Sequence, residues 1–389
     1  MQKNYDDVDI QAAAYLSSLD HKQKDIAEFL GLSQPVVNRL VKKAREDGYL
    51  KEFSPEFVRT NISDQRMEEI NTRIAPKTLL KKLERFAIKN NLPSIPGARL
   101  FPTPYLSMSK ETFAPRTEDF GRAAAGYAAE LLFQSRSGVG VSWGITVANL
   151  VTAIRLYCSR GTRQRNPVMF VPLCGEPLGS TSTHFSASTL AAELDGVLNG
   201  GRAYSRSLAP VPALIPKTFS TEEITIIRKL MGHVEAYKEI FMGTLRDNAQ
   251  DEPLIDALDT ILTSVGAAET TLGWGPDELG RTAGLNRADL KKLIVGDISG
   301  VLIPKPNLKD EESKELFLIQ ERWTGVQERH LKNCARKAKE NKASGVIIAT
   351  IGANKGEIVL ECIKRGLVNH LLIDRDLADK LEGLLDQES

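Results

Sequence analysis

The sequence has few of the residues that hold metals or form disulfides. Its 389 residues include only four cysteines and five histidines. The cysteines form no C-x-x-C pair, which excludes a zinc ribbon and a thioredoxin-type redox motif. No H-x-x-x-H or H-E-x-x-H occurs, so we expect no zinc site. We expect four reduced thiols, because so few cysteines are typical of a reducing compartment such as the cytoplasm.

Long hydrophobic runs and an excess of one charge are also missing. The longest apolar run near the C-terminus, Val346–Ile351, is far too short to span a bilayer. The opening MQKNYDDVDI carries three acids and no apolar stretch, so we expect no signal peptide and no membrane partner. With 51 Lys+Arg against 50 Asp+Glu, the chain has no overall basic field, although a local basic stripe remains possible.

Several enzyme motifs are absent as well. There is no G-x-x-x-x-G-K-[ST], no G-x-G-x-x-G that opens a helix, and no G-x-S-x-G. These absences argue against an NTPase, a dinucleotide cofactor and a serine hydrolase. We therefore expect no cofactor. The length allows two or three domains, and 42% hydrophobic residues with a net charge of +1 exclude a disordered chain.

The first fifty residues follow the pattern of a helix-turn-helix. Lys24–Leu30 has helical character and stops at Gly31, because glycine accepts the left-handed conformation at a helix end. Ser33 stands where an N-cap is expected, with its hydroxyl accepting a free backbone N–H, and Pro35 lies in the first turn. The second helix is predicted over Gln34–Glu46.

The second helix also has the side chains of a recognition helix. Amides such as Gln34 and Asn38 contact adenine edges in the major groove, and Arg39 either reads guanine or binds a phosphate. Four cations and no acid lie between Ser33 and Arg45. The candidate DNA-binding residues are Ser33, Gln34, Pro35, Asn38, Arg39, Lys42 and Lys43. The alternative is a small helical dimerisation or capping module with a solvated charged face.

Two further segments of the chain have their own character. Residues 54–95 predict a linker whose amphipathic helix, Lys77–Asn90, packs either on the body of the protein or against a partner subunit. Residues 304–343 are rich in charge and predict a solvated helix. The domain boundaries expected from these changes are 1–53 for the helix-turn-helix domain, 54–95 for the linker and 96–389 for an effector-binding and oligomerisation domain.

From about residue 98 onward, short apolar strands alternate with helices. This alternation favours an α/β fold with a parallel sheet. The candidate strands are Val139–Ser142, Val168–Leu173, Thr260–Val265, Leu293–Val295, Gly345–Thr350 and His370–Ile373. The candidate helices include Asp119–Phe133, Thr146–Cys158, Ser186–Leu198 and Lys355–Arg365. In such sheets, ligands bind at the loops that follow the strands.

Two of these loops are candidate anion sites. In the first, a strand ends near Ser142 and a helix starts near Thr146, so backbone N–H groups and the Thr146 hydroxyl face a ligand. Its candidate contacts are Ser142, Gly144, Ile145 and Thr146. In the second, Gly352 begins a turn and Lys355 opens the next helix. The alternative is a pair of ordinary strand-to-helix turns.

Two other polar residues are weaker candidates for ligand contact. His184 lies in a polar loop after the strand Val168–Leu173, where it either hydrogen-bonds a ligand or is a surface histidine. Asp297 follows a predicted strand, where it either accepts a hydrogen bond from a sugar hydroxyl or caps a turn.

These motifs together resemble the SorC family of bacterial transcriptional regulators, sometimes grouped with DeoR-type sugar regulators. Lys24–Leu40 matches the DNA-binding helix pair of the family, Val141–Thr146 its S-W-G-x-T loop, and Val295–Gly300 its V-G-D-I-x-G segment. Gly352–Lys355 is similar to the G-G-x-x-K loop, with Ala at the second glycine and Lys one place early. Gly366–Asp374 resembles the terminal strand and its acidic end.

The resemblance implies more than the spacing alone. It implies an N-terminal helix-turn-helix, winged-helix-like, joined to an α/β effector domain similar in fold to sugar-phosphate isomerases. It implies operator DNA and a homodimer or homotetramer as partners, and an effector that is usually a phosphorylated sugar. The effector would contact Gly144, Ile145, Thr146 and Lys355, with Asp297 and His184 as neighbours.

Three alternatives to this function stay open at this point. The first is a sugar-phosphate isomerase or deaminase-like enzyme fused to a helical module, with Asp297 and His184 as its acid/base pair. The second is a regulator of an unphosphorylated sugar or polyol. The third is a metabolite-binding protein whose helical module serves only assembly.

Overall fold

The computed structural model describes residues 6–19, 21–51, 62–73, 75–92, 95–101, 103, 110–158, 167–176, 185–200, 205–243, 245–246, 249–250, 252–269 and 287–388. The helices are α1 Asp7–Ser18, α2 Gln23–Leu30, α3 Gln34–Glu46, α4 Asp64–Arg73, α5 Lys77–Lys89, α6 Lys110–Leu132, α7 Ile145–Cys158, α8 Ala187–Leu198, α9 Thr221–Met231, α10 Glu235–Tyr237, α11 Leu254–Ala257, α12 Arg287–Leu293, α13 Asp310–Gln320, α14 Glu328–Asn341, α15 Gly356–Lys364 and α16 Arg375–Gln387. The strands are β1 Gly97–Leu100, β2 Val139–Val141, β3 Phe170–Pro172, β4 Leu245–Arg246, β5 Ala249–Gln250, β6 Thr260–Thr263, β7 Val265–Ala267, β8 Ile294–Ile298, β9 Val301–Pro304, β10 Gly345–Ala349 and β11 His370–Ile373.

The predicted helix-turn-helix is present as α2 and α3. Gly31 ends α2 in the left-handed conformation with φ of 64°, as its sequence position predicts. Helix α3 spans the predicted Gln34–Glu46 and buries Val37, Leu40 and other apolar residues against α1. One detail of the prediction is wrong: Ser33 stands at the N-cap, but its hydroxyl makes no capping hydrogen bond. Its extended backbone alone starts the helix.

Helix α4 packs on the same small core. Ile62 and Ile70 are buried with the apolar residues of α1 to α3. Arg73, at the end of α4, donates from Nε to Oδ1 of Asp9 at 2.7 Å and from Nη2 to the carbonyl oxygen of Leu30 at 2.7 Å. This one side chain therefore joins α4 to α1 and to the end of α2.

The predicted parallel sheet is confirmed. Its six strands have the order β1-β11-β10-β6-β2-β3, and every neighbouring pair is parallel. Alternate side chains point to opposite faces: Ile347 and Ala349 enter a core with α6, α7 and α8, whereas Val346 and Ile348 enter a core with α14, α15 and α16. Because all strands run the same way, their carboxyl ends meet at one edge.

Two predicted strands differ in the structure. The segment Thr260–Val265 divides into β6, in the parallel sheet, and β7, which leaves it to pair antiparallel with β8. The segment Leu293–Val295 is the start of β8, which continues to Ile298 and pairs antiparallel with β9. Strands β7, β8 and β9 thus form a small sheet beyond the carboxyl end of β6.

The charged region 304–343 is not a wholly solvated helix. It contains α13 and α14, and α14 buries His330, Leu331, Cys334, Ala335 and Ala338. The apolar side of α14 packs on the core, and its charged residues face solvent. The many charged residues of the segment hide this amphipathic pattern in the sequence.

The predicted amphipathic linker helix is α5, and it packs on the body of the protein. Leu79, Leu83 and Phe86 enter the core that contains α16. Lys82 Nζ lies 2.8 Å from Oδ2 of Asp386 and 3.4 Å from Oε2 of Glu382, both on α16.

The four cysteines are free and buried. Within the described ranges, no helix is long and apolar enough to cross a membrane, and no cluster of His, Cys, Asp or Glu side chains is arranged to hold a metal ion.

Arg73 provides a test of how α4 stabilises the helix-turn-helix. We expect Arg73→Ala to remove two charge-assisted hydrogen bonds and to lower the local stability of α1 and α2 by about 1–3 kcal/mol. Arg66→Ala on the same helix is the control, because the Arg66 side chain forms a surface ion pair with Glu69 of that helix. The measurement is amide hydrogen exchange of α1 and α2, which should be at least about 5-fold faster in Arg73→Ala. Equal exchange in the two variants would contradict this role.

Candidate functional site

The predicted DNA-contacting face of α3 is exposed. Gln34, Pro35, Asn38, Lys42 and Lys43 are all accessible to solvent. The Asn38 amide oxygen accepts from Nε2 of Gln23 at 3.4 Å, which sets the direction of the amide. Lys43 forms an ion pair with Asp47 at 3.0 Å on the same helix.

Ser33 and Arg39 are exposed next to this face. The predicted DNA-binding residues therefore form one continuous surface of α3 and its N-terminus.

The loop after β2 places polar groups at the carboxyl edge of the sheet. Ser142 is buried, and its hydroxyl donates to the carbonyl oxygen of Trp143 at 3.2 Å. Gly144 has φ of 119°, a value that favours glycine, and the space beside its Cα is open. Helix α7 starts at Ile145, and Thr146 is buried in its first turn. The N-terminal amides of α7 therefore point to this edge, as the sequence predicts.

The loop after β10 reaches the same edge. Gly352 has φ of 94° and is followed by a 3-10 turn, Ala353–Lys355, before α15 starts at Gly356. Lys355 is only 8% exposed. Burial is the main cause that lowers its pKa to about 8, and the nearby negative charge of Asp297 opposes this shift.

Asp297 lies within β8 rather than after a strand, so its predicted position is wrong: the strand continues past Val295 to Ile298. It is brought close to the second loop because Gly296 packs against Ile358 of α15, where a Cβ would lie 3.0 Å from Cγ1 of Ile358. Its Oδ2 accepts from the N–H of Gly300 at 3.1 Å. Burial raises the pKa of Asp297 to about 6, against the lowering effects of this hydrogen bond and of Lys355.

The other oxygen of Asp297 has no hydrogen-bond partner. Oδ1 is fully buried and unsatisfied in the described part of the chain. A buried carboxylate oxygen without a donor costs free energy, so it is a candidate acceptor for a ligand hydroxyl.

Glu176 is a further carboxylate that the sequence analysis missed. It follows β3, and its Oε1 is buried without a hydrogen-bond partner in the described residues. Burial raises its pKa, while hydrogen bonds with Ser186 and Ser188 lower it. Burial raises the pKa of the Cys174 thiol, and the negative charges of Glu176 and Asp297 raise it further, so both carboxylates lie near this thiol. No local pattern marks Glu176 in the sequence, because three residues separate it from the end of β3.

Arg116 and Asp374 form a buried ion pair that the sequence analysis also missed. Both side chains are 0% exposed, and Nη2 of Arg116 lies 2.6 Å from Oδ2 of Asp374. Oδ1 of Asp374 accepts from the N–H of Gly352 at 3.0 Å and from the N–H of Leu377 at 3.1 Å. Asp374 therefore anchors the loop of Lys355 and caps α16.

His184 lies outside the described residues. Its pairing with Asp297 as an acid and a base stays a prediction.

A cavity lies next to Gly300, the residue whose N–H donates to Asp297. Its volume is about 290 Å³, and Gly300, Val301, Phe317 and Trp323 line it together with the region around Val326. The ring of Trp323 packs on Trp143 of the first loop, with ring centroids 5.7 Å apart. Gly300 thus lines this cavity and also donates its N–H to Asp297.

The first region of the chain is similar to known DNA-binding domains. The family described as winged helix-turn-helix DNA-binding matches residues 20–51, which contain α2 and α3. No curated protein matches the chain in sequence.

Solved structures are similar over much more of the chain. The full-length sorbitol operon regulator SorC from Klebsiella pneumoniae has a TM-score of 0.51 and 20% identity, covering 97% of this chain and 100% of its own. A DeoR family transcriptional regulator from Listeria monocytogenes has a TM-score of 0.53 and 17% identity, covering 78% and 99%. A probable sor operon regulator from Shigella flexneri has a TM-score of 0.51 and 19% identity, also covering 78% and 99%.

This chain has the fold of the SorC-type regulators. The resemblance found in the sequence is thus confirmed for the fold, with a winged helix-turn-helix at the N-terminus and an α/β domain after it. The loops of Thr146 and Lys355 lie at the carboxyl edge of that α/β domain.

Asp297→Asn tests the electrostatics of this site. Because the folded pKa of about 6 exceeds the ordinary 3.8, the stability due to Asp297 is complete below about pH 4 and is lost as the pH rises through 6. The variant lacks this pH-dependent loss. Its free energy of unfolding minus that of wild type should therefore increase by about 3 kcal/mol from pH 4 to pH 7. Urea unfolding at each pH gives this difference. Asp379→Asn, on an exposed position of α16, should show none. Parallel pH curves for wild type and Asp297→Asn would contradict the shift.

Proposed function

We propose that this protein is a DNA-binding transcriptional regulator in which a small carbohydrate-type effector controls operator binding. The observation that carries the proposal is the exposed polar and basic face of α3 within a winged helix-turn-helix. A second ligand site, at the sheet edge with Asp297 and Lys355, suits the effector. An effector that binds two arrangements of the protein with different affinity shifts their populations and so changes DNA binding.

The roles on DNA follow from side-chain chemistry. The amides of Gln34 and Asn38 match the donor and acceptor of an adenine edge, and Arg39 matches guanine. Lys42 and Lys43 contact phosphates, and Ser33 and Pro35 set the entry of α3 into the major groove. Lys43 must give up its ion pair with Asp47 before it contacts a phosphate, so we expect it to contribute less to DNA affinity than Lys42 does.

The effector site favours a ligand with both hydroxyls and an anionic group. Lys355 and the N-terminal amides of α7 and α15 suit a phosphate or carboxylate. The unsatisfied oxygens of Asp297 and Glu176 suit hydroxyl donors. A phosphorylated sugar has both features. Ser142, Gly144, Ile145 and Thr146 would form the near wall.

We also propose that the protein works in the cytoplasm as a homodimer or homotetramer. A helix-turn-helix domain supports such an assembly, because dimers of these domains bind two half-sites related by symmetry. No catalytic role is proposed.

Substitutions on α3 test the DNA-binding part. Arg39→Ala should weaken binding to duplex DNA from the region upstream of the protein's own gene by about 1–3 kcal/mol. Lys42→Ala should reduce the slope of log affinity against log salt by about one. Arg336→Ala, an exposed arginine on α14, is the control. The measurement is a salt series of fluorescence anisotropy. If wild type shows no salt-dependent binding to DNA, the regulator hypothesis is wrong. If Arg39→Ala binds DNA as tightly as wild type, Arg39 does not contact the DNA.

A thermal-shift screen tests the effector part. Sugar phosphates, free sugars, polyols and sugar acids are added to the pure protein, since a ligand at 100 times its Kd stabilises the folded state by about 2.7 kcal/mol. We expect a sugar phosphate to raise Tm and Lys355→Met to abolish that rise while DNA binding stays. Lys314→Met, at an exposed position on α13, is the control. If only unphosphorylated compounds raise Tm, the regulator hypothesis stands and the proposal of a phosphorylated effector is contradicted.

A further inference from the structure

The helix-turn-helix contacts the α/β body through Arg375, the first residue of α16. The Arg375 guanidinium lies 5.4 Å from the ring centroid of Phe29 in α2. Its Nη2 lies 3.5 Å from Oε2 of Glu28. A guanidinium above an aromatic ring is attracted by the negative face of the ring, so this contact holds α2 on the body.

A second arginine, which is buried, also joins the helix-turn-helix to the α/β body. Arg99 of β1 is 4% exposed and lies between the rings of Tyr15 in α1, at 5.5 Å, and Tyr127 in α6, at 5.1 Å. His21 packs edge-on against Phe29, and burial beside Arg99 and Arg375 lowers its pKa to about 3. The neutral His21 therefore adds no third positive charge.

We call Tyr15, His21, Glu28 and Phe29, with Arg99, Tyr127 and Arg375, the docking interface.

The docking interface lies near the loop Gly352–Lys355, which we call the effector loop, because neighbouring strands of the sheet carry them. Arg99 is paired with Leu372 across β1 and β11, and β10 lies on the other side of β11. The chain leaves β11 as Asp374 and Arg375. One residue therefore separates the strand from the side chain that holds α2.

Asp374 is the direct link between the two sites. One of its oxygens accepts the N–H of Gly352, which starts the loop of Lys355, and the other pairs with Arg116. Asp374 is 0% exposed, so its position is fixed by these partners. Because Arg375 follows it in the chain, we expect a displacement of Asp374 to move the Arg375 guanidinium away from Phe29.

We propose that Asp374 and Arg375 transmit the state of the effector loop to the helix-turn-helix by setting how tightly α2 is docked. This inference rests on the proposed function for its biological meaning. The coupling itself can be tested on the protein alone. Within the described ranges, the Asp374 carboxylate bonds to Arg116, Gly352 and Leu377, so a substitution there should reach α2 through Arg375.

The test measures docking without DNA or effector. Spin labels are placed on the full-length chain at Glu46→Cys in α3 and Lys314→Cys in α13, both exposed positions. The four native cysteines are buried and stay unlabelled in the folded protein. Labelled protein is mixed with an excess of unlabelled protein, so that pulsed electron spin resonance reports distances within one chain.

We expect a single narrow distance peak for the parent protein and its loss in two variants. Arg375→Gln removes the contact with Phe29 and Glu28. Asp374→Asn keeps the arginine side chain at position 375 but removes the charge that pairs with Arg116 and weakens the hold on Gly352. Asp376→Asn is the milder second variant if Asp374→Asn does not fold, since Arg116 also donates to Asp376 at 2.8 Å. Arg336→Gln, at an exposed position of α14, should keep the narrow peak.

Two results would overturn the proposal. If Arg375→Gln keeps the narrow peak, Arg375 does not dock α2. If Arg375→Gln broadens it but Asp374→Asn and Asp376→Asn do not, the effector loop is not coupled to docking. Failure of the regulator hypothesis is recognised separately, as loss of salt-dependent DNA binding by the parent protein with the distance results unchanged.

Discussion

The buried ion pair between Arg116 and Asp374 organises the carboxyl edge of the sheet. Asp374 caps α16, fixes Gly352 and neutralises Arg116, so three separate chain segments depend on one carboxylate. Breaking a buried pair by removing one partner costs about 3–5 kcal/mol, because a charge stays behind without compensation. Replacing both partners with apolar residues would cost far less. The ion pair is therefore better explained by the positions that it gives to Gly352 and the start of α16 than by any gain in the free energy of unfolding.

The charges of Asp297 and Lys355 are less well compensated. Burial raises the pKa of the acid and lowers that of the base, which means that each ionised form is strained by its surroundings. An unsatisfied oxygen remains on Asp297, and another on Glu176. A fold that evolved for stability alone would have replaced these groups, whereas a ligand that supplies the missing donors recovers the cost on binding. Strained charges of this kind are concentrated at functional sites.

Local sequence patterns predicted most of the fold but only part of the site. Helix α3 and strand β11 match their predicted bounds because a hydrophobic period and clear end signals specify them. The antiparallel position of Asp297 was missed, since a short apolar run does not reveal its pairing partner. Arg116 and Asp374 lie 258 residues apart in the chain, and no local pattern joins them. The same limit hid Glu176, whose significance depends on Asp297 across the sheet edge.

The two arginines of the docking interface differ in strength, and this difference determines the motion to expect. Arg375 and Glu28 are 44% and 66% exposed, so their ion pair and the contact with Phe29 are each worth about 1 kcal/mol or less. Arg99 is enclosed by two tyrosines, where a desolvated cation–π contact is worth about 2 kcal/mol or more. Coupling between binding sites is typically about 1–3 kcal/mol, enough to release Arg375 but hardly enough to remove Arg99 as well. We therefore expect α2 to separate from the body while Arg99 and Tyr15 stay in contact, so that the helix-turn-helix rotates about that contact. Helix α5 stays packed on α16 and limits the movement further.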